Sequence, residues 1–291
     1  MSVYKHEYRA YSGPVAPTWT RIFVVARYGF AEAWSSKITV GLFILCLVPP
    51  LAALFGIYLA NNPLARALIG NAGPRTVGID ASFFLAVLEV QSWLALVFAS
   101  WIAPRLITFD LADNGLPILL SHPISRVGYV LGKYMVLFGM LSAVTWVPGL
   151  LLFAYQSYSS TQPWAMSHLQ IAGGLFAGAV LWIALVSILG LALSSLVKWR
   201  GVATGIIFAG VFVPAGIGAI VSGVLRTKWG FLLNLPAMMS LLWQRLLGVE
   251  RPIFSQLSLT SESIVTMLGL VCLICATILN VRIRAREVVR G

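Results

Sequence analysis

Long apolar runs alternate along the chain with shorter stretches that hold most of its charge. A bilayer core of about 30 Å is crossed by about 20 apolar residues in a helix. Six runs meet that length: about Ile38–Leu59, Phe83–Ala103, Val130–Tyr155, Ile171–Leu196, Val202–Leu225 and Ile264–Val281. The Pro49-Pro50 pair is expected to kink or break the first near its middle, because proline lacks an amide hydrogen and its ring crowds the carbonyl four residues back. Pro214, among closely spaced glycines, marks the fifth.

Two further segments are apolar without being able to cross. In Thr18–Lys37, Trp19, Ile22, Phe23, Ala26, Phe30, Ala33 and Trp34 recur at helical spacing, with Arg21, Arg27 and Lys37 around the stripe. That pattern predicts an amphipathic helix lying in the membrane interface with its tryptophans at headgroup depth; a helix packed on the rest of the protein is the alternative. Between about residues 226 and 263, Trp229, Phe231, Leu235, Met238, Leu242, Trp243 and Leu247 are interrupted by Asn234, Pro236, Gln244 and Arg245. One or two short helices dipping into the outer leaflet before the last span would satisfy both the apolar faces and the backbone groups. The expected fold is therefore an all-α membrane protein: residues 1–37 as an N-terminus with an interfacial helix, and residues 38–291 as a six-helix transmembrane domain.

Composition agrees. Of 291 residues, 59% are hydrophobic and 10% charged, against about 25% charged in a soluble domain, and mean hydropathy is +0.90. The 20 Lys and Arg outnumber 9 Asp and Glu, which in a soluble protein would point to nucleic acid. In a lipid-embedded chain the excess is orientation charge and attraction to anionic lipid headgroups, so no nucleic-acid partner is expected. With the N-terminus inside, 14 of the 20 basic residues fall on the cytoplasmic side, where positive charge accumulates. Both termini are then cytoplasmic, as six spans require, and the location is the cell inner membrane. The first 37 residues lack an apolar core followed by a cleavage site, so the first span is expected to remain as an anchor.

Catalytic signatures are mostly missing. Gly128 to Tyr134 is one residue short of a phosphate-cradling loop and lacks its hydroxyl. His6, His122 and His168 are scattered, and no paired Cys/His spacing indicates a metal. Cys272 and Cys275 form a C-x-x-C inside an apolar run, where small buried hydrophobes are expected. Ser195 and Lys198 match an S-x-x-K string at a helix end, where a filler serine and a snorkelling lysine suffice. Glu89, about two turns inside the second span, is expensive in lipid. It is either a polar contact in a translocation path, or a residue that snorkels or bonds to a neighbouring helix.

The informative stretch joins the second and third spans, about residues 106–127. Asp110 and Asp113 offer acceptors, Leu116, Ile118, Leu119 and Leu120 form an apolar ridge, Pro123 fixes a turn, and Arg126 and Lys133 hold the next helix at anionic headgroups. A bare cytoplasmic loop would not need so many apolar residues. The segment resembles the coupling-helix region of ABC type-2 permeases, in which an acidic residue precedes Gly-Thr-Leu-Glu, Leu-Leu-Ser, Pro-Ile-Ser-Arg and a Gly-Lys. The matching residues are Asn114-Gly115, Leu119-Leu120-Ser121, Pro123-Ile124-Ser125-Arg126 and Gly132-Lys133. Leu116-Pro117-Ile118 replaces the usual Thr-Leu-Glu, leaving Asp110 or Asp113 to supply the acidic contact.

The resemblance implies the membrane subunit of an exporter rather than an enzyme. It would pair with a second copy or a homologous permease, and dock a separate ATP-binding-cassette subunit that binds ATP and Mg; this chain would bind no cofactor itself. An intramembrane lipid-modifying enzyme and a non-transporting membrane assembly subunit are the competing classes. The charge asymmetry makes a direct prediction. On a cysteine-free background, Asn71→Cys should react with an impermeant thiol reagent added outside and Arg200→Cys should not; the reverse pattern would invert the topology.

Overall fold

The computed structural model describes residues 17–62, 78–112, 125–160, 164–249 and 259–287. All regular structure among them is helical. Helix α1 is Thr18–Trp34, α2 Lys37–Asn61, α3 Ala81–Ala112, α4 Arg126–Val144 and α5 Trp146–Ser159. They are followed by α6 Trp164–Ser167, α7 Leu169–Ser194, α8 Arg200–Leu225, a 3₁₀ turn Trp229–Leu233, α9 Leu235–Leu247 and α10 Ser261–Glu287. Six spans are long and apolar enough to cross a membrane: α2, most of α3, α4 with α5, α7, α8 and most of α10. The protein is a multi-pass helical membrane protein.

Helix α7 is the hub. Two thirds of its most apolar window is buried, against about a fifth for α2 and α10, and it packs on α3, α4, α5, α8, α9 and α10. Small residues on its faces allow the approach. A Cβ on Gly174 would meet the Leu246 carbonyl of α9 at 2.9 Å, and one on Gly190 would meet Ala103 of α3 at 3.0 Å. This is how helices associate where lipid supplies no hydrophobic contrast.

Prolines inside these spans leave carbonyls without their helical donors, and at three of them a side chain from another helix takes the donor's place. Pro50 cannot donate to the Cys46 carbonyl, four residues back; Gln91 Nε2 of α3 donates to it instead, at 2.7 Å. The same amide donates to the Val144 carbonyl, which Pro148 leaves open in the same way. Pro104 of α3 orphans the Ser100 carbonyl, and Thr204 Oγ1 of α8 donates to it at 3.0 Å. Gln91 thus joins α2, α3 and the α4–α5 junction at one buried point, itself 2% exposed.

The helical outcome differs between the proline sites. The Pro49-Pro50 pair, expected to kink or break its span, lies inside an unbroken helical assignment from Lys37 to Asn61. The third span, expected to run continuously, breaks at Thr145, whose φ of −112° and ψ of −89° are not helical. Pro148 falls in the first turn of the restarted helix, where its missing amide hydrogen costs least. Thr145 Oγ1 caps the broken end by donating to the Leu141 carbonyl at 2.8 Å.

The amphipathic N-terminal stripe forms α1, which packs on α4 through glycines. A Cβ on Gly132 would lie 2.7 Å from Val25, one on Gly139 2.8 Å from Phe30, and one on Gly29 2.8 Å from Val136. Trp19, Phe23, Tyr28 and Trp34 stay exposed on the other side. The packing on α4 matches the reading of this stripe as a helix packed on the rest of the protein.

In the punctuated 226–263 region, α8 ends at Arg226 in the left-handed conformation. The 3₁₀ turn then packs against α8 where Gly218 and Gly230 leave no room for a side chain. Asn234 caps α9 by accepting from Ala237 N at 3.1 Å, and Gly248, at φ +71°, ends it. Asp80 likewise caps α3, accepting from Ser82 N and Phe83 N at 3.1 Å. The Ser82 hydroxyl bond, with the backbone bonds, holds the Asp80 carboxyl below its ordinary range despite slight burial.

The proline-repair arrangement predicts a specific coupling. Gln91→Leu should cost about 1–2 kcal/mol by stranding two carbonyls. It should cost less in a Pro50→Ala background, where the restored amide can serve Cys46 O. Thermal melting of the four proteins in one detergent measures this, and additive losses would contradict it.

Candidate functional site

Two places concentrate polar chemistry among the described residues. The first lies where α3 and α4 flank residues 113–124. Helix α3 has 32 residues and so is about 48 Å long at 1.5 Å per residue. It is longer than the bilayer core is thick, and Asp110 stands in its last turn. Asp110 Oδ2 lies 2.9 Å from Lys133 Nζ and accepts from Tyr129 Oη at 2.6 Å.

Tyr129 and Lys133 are four residues apart on α4 and so share one face. Tyr129 is 1% exposed and Lys133 6%, so the ammonium is removed from water. Lys133, expected at the headgroups, is instead a buried partner of α3. Asp110, expected to offer its acceptor outward, is engaged within the chain. Its role in the structure is to fasten the end of α3 to the first turns of α4. Ser125 completes the root of α4 by accepting from Gly128 N at 3.0 Å, and Arg126 opens the helix half-buried. Asp113, Asn114, Gly115, Leu119, Leu120, Ser121 and Pro123, the remainder of the expected docking segment, lie outside the described residues.

The second place is a cavity of about 450 Å³ between α3, α7, α8 and α9. Glu89 lines it, with Ser92 and Trp93 of α3, Trp182 of α7, Phe212 of α8, and Asn234, Ser240 and Trp243 at or within α9. Glu89 Oε1 accepts from Ser240 Oγ at 2.7 Å, and Gln244 Nε2 donates to that hydroxyl at 3.3 Å. Glu89 is therefore bonded to a neighbouring helix and also placed on a cavity wall. Of the descriptions offered by the sequence, the bond to a neighbouring helix is the one the structure contains.

Backbone groups fix the aromatic walls. Trp182 Nε1 donates to the Ser92 carbonyl and Trp243 Nε1 to the Gly178 carbonyl, both at 3.0 Å. A Cβ on Gly178 would fall 2.6 Å from the Trp243 ring, so glycine is what admits that indole. Trp182 and Trp243 meet edge to face at 5.9 Å, while Trp93 and Phe212 stack at 5.8 Å with planes 5° apart. None of these aromatic residues stood out in the sequence, where tryptophans in a lipid-facing chain are ordinary. The available signal was Gln91 and Ser92 beside Glu89, a polar cluster in mid-span.

No protein-family model matches the chain, and no curated protein matches it.

The clamp makes its own prediction. Removing Lys133 strands Asp110, which is half-buried, a loss of about 1–2 kcal/mol. Lys133→Met should therefore lower the thermal midpoint more than the Lys133→Met, Asp110→Asn double substitution does. A double variant less stable than Lys133→Met alone would show that the pair is not a coupled unit.

Proposed function

We propose that this chain is the permease subunit of an ABC exporter in the cell inner membrane, with both termini cytoplasmic. A separate ATPase subunit would bind ATP and Mg, and docking on residues 110–126 would couple its cycle to the spans. A second permease, identical or homologous, would complete the assembly. The resemblance of Leu119-Leu120-Ser121 and Pro123-Ile124-Ser125-Arg126 to the coupling-helix region supplies the family reading.

One structural observation supports it most: the Asp110–Lys133–Tyr129 clamp fastens together the two helices from which that segment springs. Coupling needs a stiff connection between docking surface and moving element, so that a partner's differential contacts bias one arrangement of the helices. A push on the segment would then reach α3 and α4 as a unit. α3 carries Glu89 on the cavity wall, so the same unit leads from the docking end to the interior. The exposed aromatic side of α1 suits a place at the membrane interface, and the 3₁₀ turn with α9 suits the outer leaflet.

Helix docking in a groove relies on a few apolar anchors, with charges setting register more than affinity. Leu119→Asp should thus abolish co-purification with the cognate ATPase and lower its hydrolysis at least tenfold, while Asp113→Asn changes either by less than threefold. Both are measured at matched membrane levels. Wild-type association in Leu119→Asp would remove this segment from the coupling role; ATPase stimulation without substrate movement would favour an assembly subunit.

A further inference from the structure

The geometry points to the 450 Å³ cavity as a binding site for an organic ammonium cation carrying an apolar body. Two features converge on that chemistry. First, the walls join one carboxylate, Glu89, to the rings of Trp93, Trp182, Trp243 and Phe212. A cation beside aromatic faces is attracted by their quadrupoles, most strongly by tryptophan, and more so when desolvated. The same surroundings weakly screen the carboxylate, so its attraction acts at greater strength than in water. A neutral apolar guest would gain nothing from Glu89, and an anion would be repelled by it.

Second, the volume falls within the range of sites that take small organic ligands. Both tryptophan N–H groups on α7 and α9 are already spent on backbone carbonyls, so these two indoles offer a guest no donor.

The open side is also apolar. Trp93 is 44% exposed and Phe212 49%, so a guest dissolved in the membrane can reach the carboxylate without crossing water. The ammonium could belong to a lipid headgroup or to a free amphipathic amine. The site stands on the cavity alone; its reading as the place where cargo is held rests on the permease proposal.

The test uses the purified full chain in nanodiscs of phosphatidylglycerol, with benzyltriethylammonium as the probe in isothermal titration calorimetry. Saturable binding is expected, at least tenfold tighter than that of N,N-diethylbenzamide, which is of similar size and neutral, or of benzenesulfonate. Glu89→Gln, which keeps an acceptor for Ser240, should weaken probe binding by about tenfold. Trp93→Leu removes one ring from the partly exposed wall and should weaken it by a smaller factor, which covers the case in which Glu89→Gln folds poorly. Competition by phosphatidylcholine added to the nanodiscs would identify a lipid headgroup as the guest; probe binding unchanged by it would identify a free amine. Equal affinity for the neutral amide, or unchanged affinity in both variants, would overturn the assignment. No ATPase is present, so failure here leaves the docking proposal intact, and failure of docking leaves binding measurable.

Discussion

A backbone carbonyl inside a bilayer has no water to turn to, and the architecture depends on how that demand is met. Uninterrupted helices satisfy it automatically. Of the prolines in these spans, Pro50, Pro104 and Pro148 each stand four residues after a carbonyl that a side chain from another helix supplies with a donor. Gln91 serves two of them and Thr204 the third. The consequence is positional: a donor that must reach two particular carbonyls fixes the depth and rotation of α3 against α2 and the α4–α5 junction. Glu89, Ser92 and Trp93 are neighbours of Gln91 on that same helix. The cavity wall is thus aligned by a hydrogen-bonding requirement rather than by shape alone.

The spans themselves were legible, because twenty apolar residues in a row have few other uses. Their interior was less so. Pro49-Pro50 and Pro148 look equivalent in sequence, yet one lies within a continuous helix and the other opens a restarted one. What separates them is the position of each proline relative to a helix start; the donor, Gln91, is 45 or 53 residues away and serves both. Periodicity reports which face is apolar, not which distant side chain will complete a carbonyl.

The charged residues teach a related lesson. Asp110 and Lys133 each had a sensible solitary reading, one facing a partner and one facing headgroups. Together they form a pair across the root of two helices, Lys133 buried and Asp110 half-buried, a relation that depends on how far α3 extends toward the start of α4. The candidate cavity was hidden for a different reason. Its tryptophans come from three separate helices, and only packing, with Gly178 yielding space to Trp243, brings them to one carboxylate. Glu89 was visible early because a lone carboxylate in a span is conspicuous without any knowledge of its neighbours.

Helix α1 is seated on α4 at three glycines: its own Gly29 admits Val136, while Gly132 and Gly139 of α4 admit Val25 and Phe30. Such a seat resists sliding, because a shift of one residue along either axis would set a Cβ against Val25, Phe30 or Val136. The two helices are thereby locked in register like a key in its wards, and the exposed Trp19, Phe23 and Tyr28 keep a fixed height relative to the start of α4.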